Sequence, residues 1–300
     1  MPTLKAYVVN FMFIGENFTD KNGQLQMDEI VFECGKFKFT FIQDMKFAKA
    51  PAKYRGTVCQ TSEVFVHDVK ESDLTPVIET LEKLCWLLSF VGLCRVGCAG
   101  YEFPVETKKK FISLVAESNF HLPSLSDIGD RSYIRKFVEQ VFDRYQGICN
   151  TRKLNVVFDY LIHSDRTRQP TEVKLILMFV LLENLKDTFA KEKQIPFTDG
   201  AFRKPSKLIK NRMVSVAYSF RELLMMMFAE YQMKPKLQHI VKFRNEMIHS
   251  GLSTSNTPAE LEVVYAECHD LIREYIFRLL EFKGTFPTYK SRNTEFVVLQ

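Results

Sequence analysis

The sequence predicts an α+β fold, with a strand-rich N-terminal half followed by an all-helical C-terminal half. Residues 35–42 (GKFKFTFI) alternate apolar and polar side chains with a period of two, which is typical of a strand with one buried face. Residues 133–145 instead repeat apolar side chains at about 3.6 residues, which is typical of an amphipathic helix. Between them, residues 121–130 (HLPSLSDIGD) are rich in turn-forming residues, and we place a domain boundary there.

The predicted organisation has three parts. Residues 1–125 form a β-rich domain. Residues 130–283 form a helical domain, and residues 284–300 form a C-terminal tail with one strand near its end.

Strands and one helix are predicted in the N-terminal half. Cys34-Gly35 can make a tight connection, so residues 30–34 and 35–42 are predicted to form a hairpin with Phe37, Phe39 and Phe41 on one face. A helix over residues 73–90 has Ser72 or Asp73 as its cap and Pro76 in its first turn. Further strands are predicted within residues 6–15, 57–69, 96–103 and 110–117.

Helices account for the C-terminal half. The first covers the stripe at residues 133–145 and ends at Gly147, and a shorter one spans residues 154–162. Pro170 opens a long helix to about residue 193. The next is predicted to be capped by Ser206, with an apolar seam of Ile209, Met213, Val216, Phe220, Leu223 and Met227. The last two span residues 235–249 and 257–282, the latter opened by the capping box Thr257-Pro258-Ala259-Glu260.

Composition and charge exclude several classes of protein. The net charge of +5 and pI of about 8.7 permit a polyanionic partner without requiring one. Seven scattered cysteines are typical of reduced thiols, so we expect a cytoplasmic protein. The longest apolar runs are too short to span a bilayer, so no membrane partner is expected. Cys94 and Cys98 lack further zinc ligands at suitable spacing, and no nucleotide-binding glycine pattern is present; we expect no metal and no cofactor.

The segment VKFRNEMIHSGL, residues 241–252, contains the main candidate site. Arg244 and His249 are separated by four residues, although about one such pair is expected by chance in this chain. Arg244 lies seven residues after Leu237, in the middle of the helix's predicted apolar face, where an unpaired guanidinium is costly. Asn245 and His249 are four residues apart and share the edge of that face. His249 is in the last helical turn, where exposed carbonyl groups favour the protonated imidazole.

Glu183 is the second charged residue in an apolar setting. It directly follows residues 175–182, which are apolar on every face and therefore predict a central helix. A carboxylate there needs a cation, and we predict that Glu183 pairs with Arg244. Two interpretations remain open from these residues: a structural ion pair with His249 as a helix-end cation, or a functional site.

Arg-Asn-Glu-Met-Ile-His in a C-terminal helical bundle resembles the HEPN domain family over residues 130–283. The segment LILMFVLLENLKDTF, residues 175–189, resembles the family's preceding core helix, including Glu183. A strand-rich N-terminal half attached to such a bundle resembles the Apea-type HEPN proteins of bacterial phage defence, and residues 88–103 (LSFVGLCRVGCAGYEF) are similar to their N-terminal segment.

The resemblance implies a metal-independent endoribonuclease that acts as a toxin in antiviral defence by abortive infection. The β-rich domain at residues 1–125 would then sense a trigger or select a target. His249 would be the acid or base, Arg244 would stabilise charge on the phosphate, and Asn245 would orient the imidazole or an oxygen, with Glu183 in support. The implied partners are RNA, tRNA included, and a second copy of the chain, since a homodimer with a composite active site would supply two histidines. The alternative is a non-catalytic HEPN module that binds RNA, a nucleotide or a protein, in which Arg244 and Glu183 form a structural pair.

A basic segment follows the predicted core helix. Residues 186–212 contain eight Lys or Arg and three Asp or Glu, an excess of five. Lys204, Lys207, Lys210 and Arg212 are predicted to lie at the start of the next helix and its approach, where they could bind backbone phosphates. A solvated helix face is the alternative interpretation of the same charges.

Overall fold

The computed structural model divides the chain into two compact units. Unit 1 comprises Met1–Gly147 and Leu280–Gln300, and unit 2 comprises Ile148–Leu279. The described residues are 2–21, 23–54, 56–104, 109–111, 129–165, 169–209, 212–250, 257–291 and 295–299.

Unit 1 is built on an antiparallel sheet of seven strands among the described residues. Its spatial order is β2-β3-β4-β5-β1-β6-β7, so the N-terminal strand lies inside the sheet between the fifth and sixth strands. The strands are β1 (Leu4–Val9), β2 (Asn17–Lys21), β3 (Gln24–Cys34), β4 (Phe37–Gln43), β5 (Gln60–Val66), β6 (Gly97–Glu102) and β7 (Lys109–Phe111).

The predicted hairpin is confirmed, with Cys34 of β3 paired to Phe37 of β4. Gly35 has a φ of 60°, a conformation that glycine adopts at little cost in such a turn. Phe39 and Phe41 are fully buried and Phe37 is half-buried, so the aromatic face faces the core. The strand predicted at residues 110–117 begins as β7, and residues 112–117 lie outside the described part of the chain.

Three helices lie among the described residues of unit 1: α1 (Met45–Lys49), α2 (Leu74–Gly92) and α3 (Tyr133–Ile148). The last of them ends one residue into unit 2. The apolar side of α2 is buried, and α2 packs on β6. Phe137 of α3 lies 6.2 Å from Phe90 of α2 and 5.1 Å from Phe282, measured between ring centroids. These aromatic contacts explain why α3 belongs with the sheet.

The observed division therefore differs from the predicted domains. The sequence predicts that the stripe at residues 133–145 belongs to the helical domain at residues 130–283, whereas it packs within unit 1. The tail also belongs to unit 1, where β12 (Gly284–Pro287) pairs antiparallel with β13 (Phe296–Leu299). Residues 112–128, which contain most of the predicted boundary segment, lie outside the described residues.

Unit 2 is helical with two small hairpins. The long helix α5 packs against each of the other four, which confirms its predicted central position. The helices are α4 (Leu154–Ser164), α5 (Thr171–Glu192), α6 (Phe220–Glu230), α7 (Gln238–Ser250) and α8 (Pro258–Leu279), and the hairpins are β8 (Phe197–Thr198) with β9 (Ala201–Phe202) and β10 (Lys207–Ile209) with β11 (Arg212–Val214).

One predicted helix start is wrong. Residues 207–209 and 212–214 pair as the strands β10 and β11, and α6 begins only at Phe220. Its cap is Ser219, whose hydroxyl oxygen accepts from the Glu222 backbone N–H at 3.2 Å while the Glu222 carboxylate accepts from the Ser219 N–H at 2.8 Å. The capping box predicted for the last helix is present, since Thr257 and Glu260 exchange the equivalent bonds.

Among the residues that the structure describes, every helix is too short or too polar to cross a membrane.

Candidate functional site

Glu183 and Arg244 form an ion pair between two helices of unit 2. Arg244 Nη2, on α7, donates to Glu183 Oε1, on α5, across 2.6 Å. The arginine side chain is 22% exposed and the glutamate side chain 31% exposed, so both lie at the edge of the helix packing. The predicted pairing of these two residues is therefore present, and water still reaches it.

Arg244 lies on the flank of the buried face of α7. The buried side chains are Leu237, Ile240, Phe243 and Met247, whereas Ile248 is exposed. The prediction that Arg244 lies in the middle of this face is wrong, because Phe243 shifts its centre away from the arginine. A flank position lets the guanidinium reach Glu183 while part of it stays accessible.

Asn245 adds a second contact to the guanidinium. Its side-chain oxygen accepts from Arg244 Nη1 at 3.0 Å, and the asparagine itself is exposed. The backbone of His249 lies in the last turn of α7, as predicted, and its side chain lies outside what the structure describes. The described geometry thus brings together Glu183, Arg244 and Asn245.

Two further residues take part that the sequence analysis missed. Lys186 Nζ lies 2.5 Å from Glu183 Oε2, so one carboxylate bridges two cations. The Phe220 ring lies beside both of them, with its centroid 4.8 Å from Arg244 Cζ and 5.6 Å from Lys186 Nζ. Lys186 follows Glu183 by three residues on a helix, which is a recognisable pairing distance. No sequence spacing points to Phe220, because the sequence predicts that its helix begins at Ser206 and not at Phe220.

The electrostatics of this cluster favour an anion. Lys186 and Arg244 contribute two positive charges and Glu183 one negative charge, which leaves a local excess of one positive charge. Arg244 Nε is buried and has no hydrogen-bond acceptor among the described residues. The rest of the guanidinium is partly exposed, and its planar, paired donors suit a forked contact with phosphate or carboxylate oxygens.

The four basic residues predicted to bind RNA are in different settings from those expected. Lys204 pairs with Glu222 at the start of α6 and lies 5.4 Å from the Tyr218 ring centroid. Lys207 and Arg212 belong to the short strands β10 and β11, and their side chains lie outside the described part. Lys210 lies outside the described residues altogether. The prediction that Lys207 and Arg212 lie at a helix start is wrong. Binding of RNA by the four basic residues stays a prediction.

In the described portion of the chain, no group of three or more His, Cys, Asp or Glu is arranged to hold a metal ion. Comparisons of this chain with protein-family models, curated proteins and solved structures gave no match.

Proposed function

We propose that this chain is a metal-independent endoribonuclease of the HEPN type. The observation that carries the proposal is the Arg244 guanidinium, held by Glu183 and Asn245 on the helix that also contains His249. Arginine offers planar, forked donors for a phosphodiester, and histidine titrates near neutral pH. Both residue types suit RNA transesterification, the histidine as acid or base and the arginine as a stabiliser of negative charge.

In the proposed reaction, the RNA 2′-oxygen attacks the adjacent phosphorus as its proton passes to a base. The bond from phosphorus to the 5′-oxygen breaks, and that oxygen takes a proton from an acid. The products are a 2′,3′-cyclic phosphate and a free 5′-hydroxyl. His249 acts as base or acid, and Arg244 offsets the negative charge that develops on the phosphate oxygens.

One chain offers one such histidine, so the proposal includes a homodimer with two motifs facing each other. An exposed apolar stripe on α5 supports it, because Val173, Ile176 and Val180 are each about 40% exposed. Their spacing places them on one side of the helix, and Glu183 follows Val180 by one turn. A second copy that covers the stripe would therefore lie beside the Glu183–Arg244 pair.

A non-catalytic binding module is the second candidate. It is favoured by the 2.6 Å contact itself, since Glu183 occupies the arginine that the nuclease needs for phosphate. In that case Arg244 and Glu183 stabilise the packing of α5 and α7, and the unit binds RNA, a nucleotide or a protein without cleaving it.

Growth of bacteria that express the chain tests the nuclease and its proposed role in defence. Wild type is expected to arrest growth with loss of cellular RNA, and Arg244→Ala or His249→Ala is expected to restore growth at equal protein level. His239→Ala is a matched control, because His239 lies on the same helix, is half-exposed and contacts Glu267. Equal toxicity of His249→Ala and His239→Ala would contradict the proposal.

A further inference from the structure

Lys186 contacts Glu183 as closely as Arg244 does, although the proposed reaction gives Lys186 no catalytic role. Its side chain is only 15% exposed, compared with 62% for Lys191 further along α5. Lys191 pairs with Asp187 at the helix surface in an ordinary contact four residues apart. Lys186 instead shares its carboxylate and its aromatic neighbour with Arg244.

Two cations that share one aromatic ring repel each other unless an anion lies near both. Glu183 supplies that anion, with one oxygen 2.5 Å from Lys186 and the other 2.6 Å from Arg244. Its side chain is the most exposed of the three, so it has room to turn towards solvent. The arrangement thus places the protein's own carboxylate between two cations.

We infer that Lys186 and Arg244 form one phosphate subsite for an RNA backbone, and that Glu183 is the internal anion which the phosphate displaces. A phosphodiester carries the same single negative charge as the carboxylate, so the exchange preserves the charge balance between the two cations. The Nη2 donor that Glu183 releases is then free to bind an incoming phosphate oxygen. The inference rests on the proposed function for its ligand, and it adds Lys186 as a binding residue and Phe220 as the surface beside both cations.

Binding of a fluorescent 2′-O-methyl oligonucleotide tests the subsite without cleavage, because its blocked 2′-oxygen cannot attack. Lys186→Met is expected to weaken binding about tenfold and to reduce the slope of log affinity against log salt by about 0.7, as expected for one lost phosphate contact on a single strand. Lys191→Met, the matched control, is expected to match wild type. Lys186→Arg retains the charge and is expected to retain binding.

Glu183→Gln is the second test, and its expected direction is opposite. Removing the internal anion is expected to increase affinity for the same oligonucleotide severalfold, whereas a purely structural role predicts weaker binding. Thermal melts of each variant confirm that the fold is retained. Equal binding by Lys186→Met and Lys191→Met, or weaker binding by Glu183→Gln, overturns the inference.

Cleavage of the matching 2′-hydroxyl oligonucleotide separates this inference from the proposed function. Lys186-dependent binding without cleavage supports the subsite and overturns the nuclease. Cleavage with Lys186-independent binding overturns the subsite and leaves the nuclease in place. Wild-type protein that does not bind the 2′-O-methyl oligonucleotide at all overturns the subsite.

Discussion

Glu183 and Arg244 are 61 residues apart in the chain, yet their side chains meet at 2.6 Å between α5 and α7. The contact joins the central helix of unit 2 to the helix with the candidate motif. Both side chains retain partial exposure, so the pair is neither a surface contact nor a fully buried one. The contribution of this contact to the free energy of unfolding distinguishes a structural pair from a functional site.

A double-mutant cycle measures that energy. Glu183→Gln and Arg244→Met are expected to show a coupling of about 1 kcal/mol in the free energy of unfolding, because water partly screens the pair. A buried structural pair would cost about 3–5 kcal/mol when one partner is removed. Urea unfolding of the wild type, both single variants and the double variant gives the coupling. A loss of about 3–5 kcal/mol in either single variant would favour the non-catalytic module.

The start of α6 predicts a dependence of stability on pH. The hydrogen bond from Lys204, followed by those from Ser219, lowers the pKa of Glu222 from its ordinary value of 4.5 to about 2. The folded state then binds this proton more weakly than the unfolded chain does. The stabilisation is therefore fully present above pH 4.5 and is lost as the pH falls towards 2.

Glu222→Gln is accordingly expected to lower the Tm at pH 7 and to change it little near pH 2, as measured by circular dichroism. Glu262→Gln, on the exposed side of α8, is the control and is expected to leave the Tm unchanged at both pH values. A Tm loss for Glu222→Gln that is the same at both pH values would contradict the assignment.

Much of this architecture was predictable from local pattern, and the failures have physical causes. The alternation of Phe37, Phe39 and Phe41 specified a strand directly, and the Thr257–Glu260 capping box specified a helix start. The helix start predicted at Ser206 is wrong because Ile209 and Met213 also fit helical spacing. Asn211 stands between these two positions in the sequence, and as a turn-favouring residue it is a signal against a continuous helix.

Long-range packing limited the rest. The period of α3 was evident, but its membership of unit 1 depends on Phe137 contacting Phe90 and Phe282, which no local pattern encodes. For the site, the need for charge compensation was enough to predict the Glu183–Arg244 pair. The same rule could have found Lys186, whereas the position of Phe220 depends on where α6 begins.

The apolar stripe on α5 predicts self-association. Ile176→Glu places a charge in the middle of the stripe and is expected to shift the chain to monomer in sedimentation velocity and to reduce RNA cleavage. Val263→Glu is the control, since Val263 is 44% exposed on a different helix. Wild-type protein that cleaves RNA as a strict monomer would contradict the composite site.

We expect one of the seven cysteines to react first when a thiol reagent is added to the folded protein. Cys59 is half-buried and the other six are buried. Burial raises the pKa of the Cys85 and Cys268 thiols and raises that of Cys34 to about 12, which suppresses the reactive thiolate. Iodoacetamide at pH 8 should therefore modify Cys59 first, as read by peptide mass spectrometry. Comparable modification of Cys268 in the native protein would contradict its buried placement in unit 2.

Cleavage of purified RNA by the purified protein tests the proposed nuclease most directly. Wild type is expected to produce fragments with 2′,3′-cyclic phosphate and 5′-hydroxyl ends in the presence of a chelator. His249→Ala is expected to cleave at least about a hundredfold more slowly, the usual loss when a general acid or base is removed, while His239→Ala retains the wild-type rate. RNA left intact by the wild type, or equal rates for wild type and His249→Ala, would contradict the account.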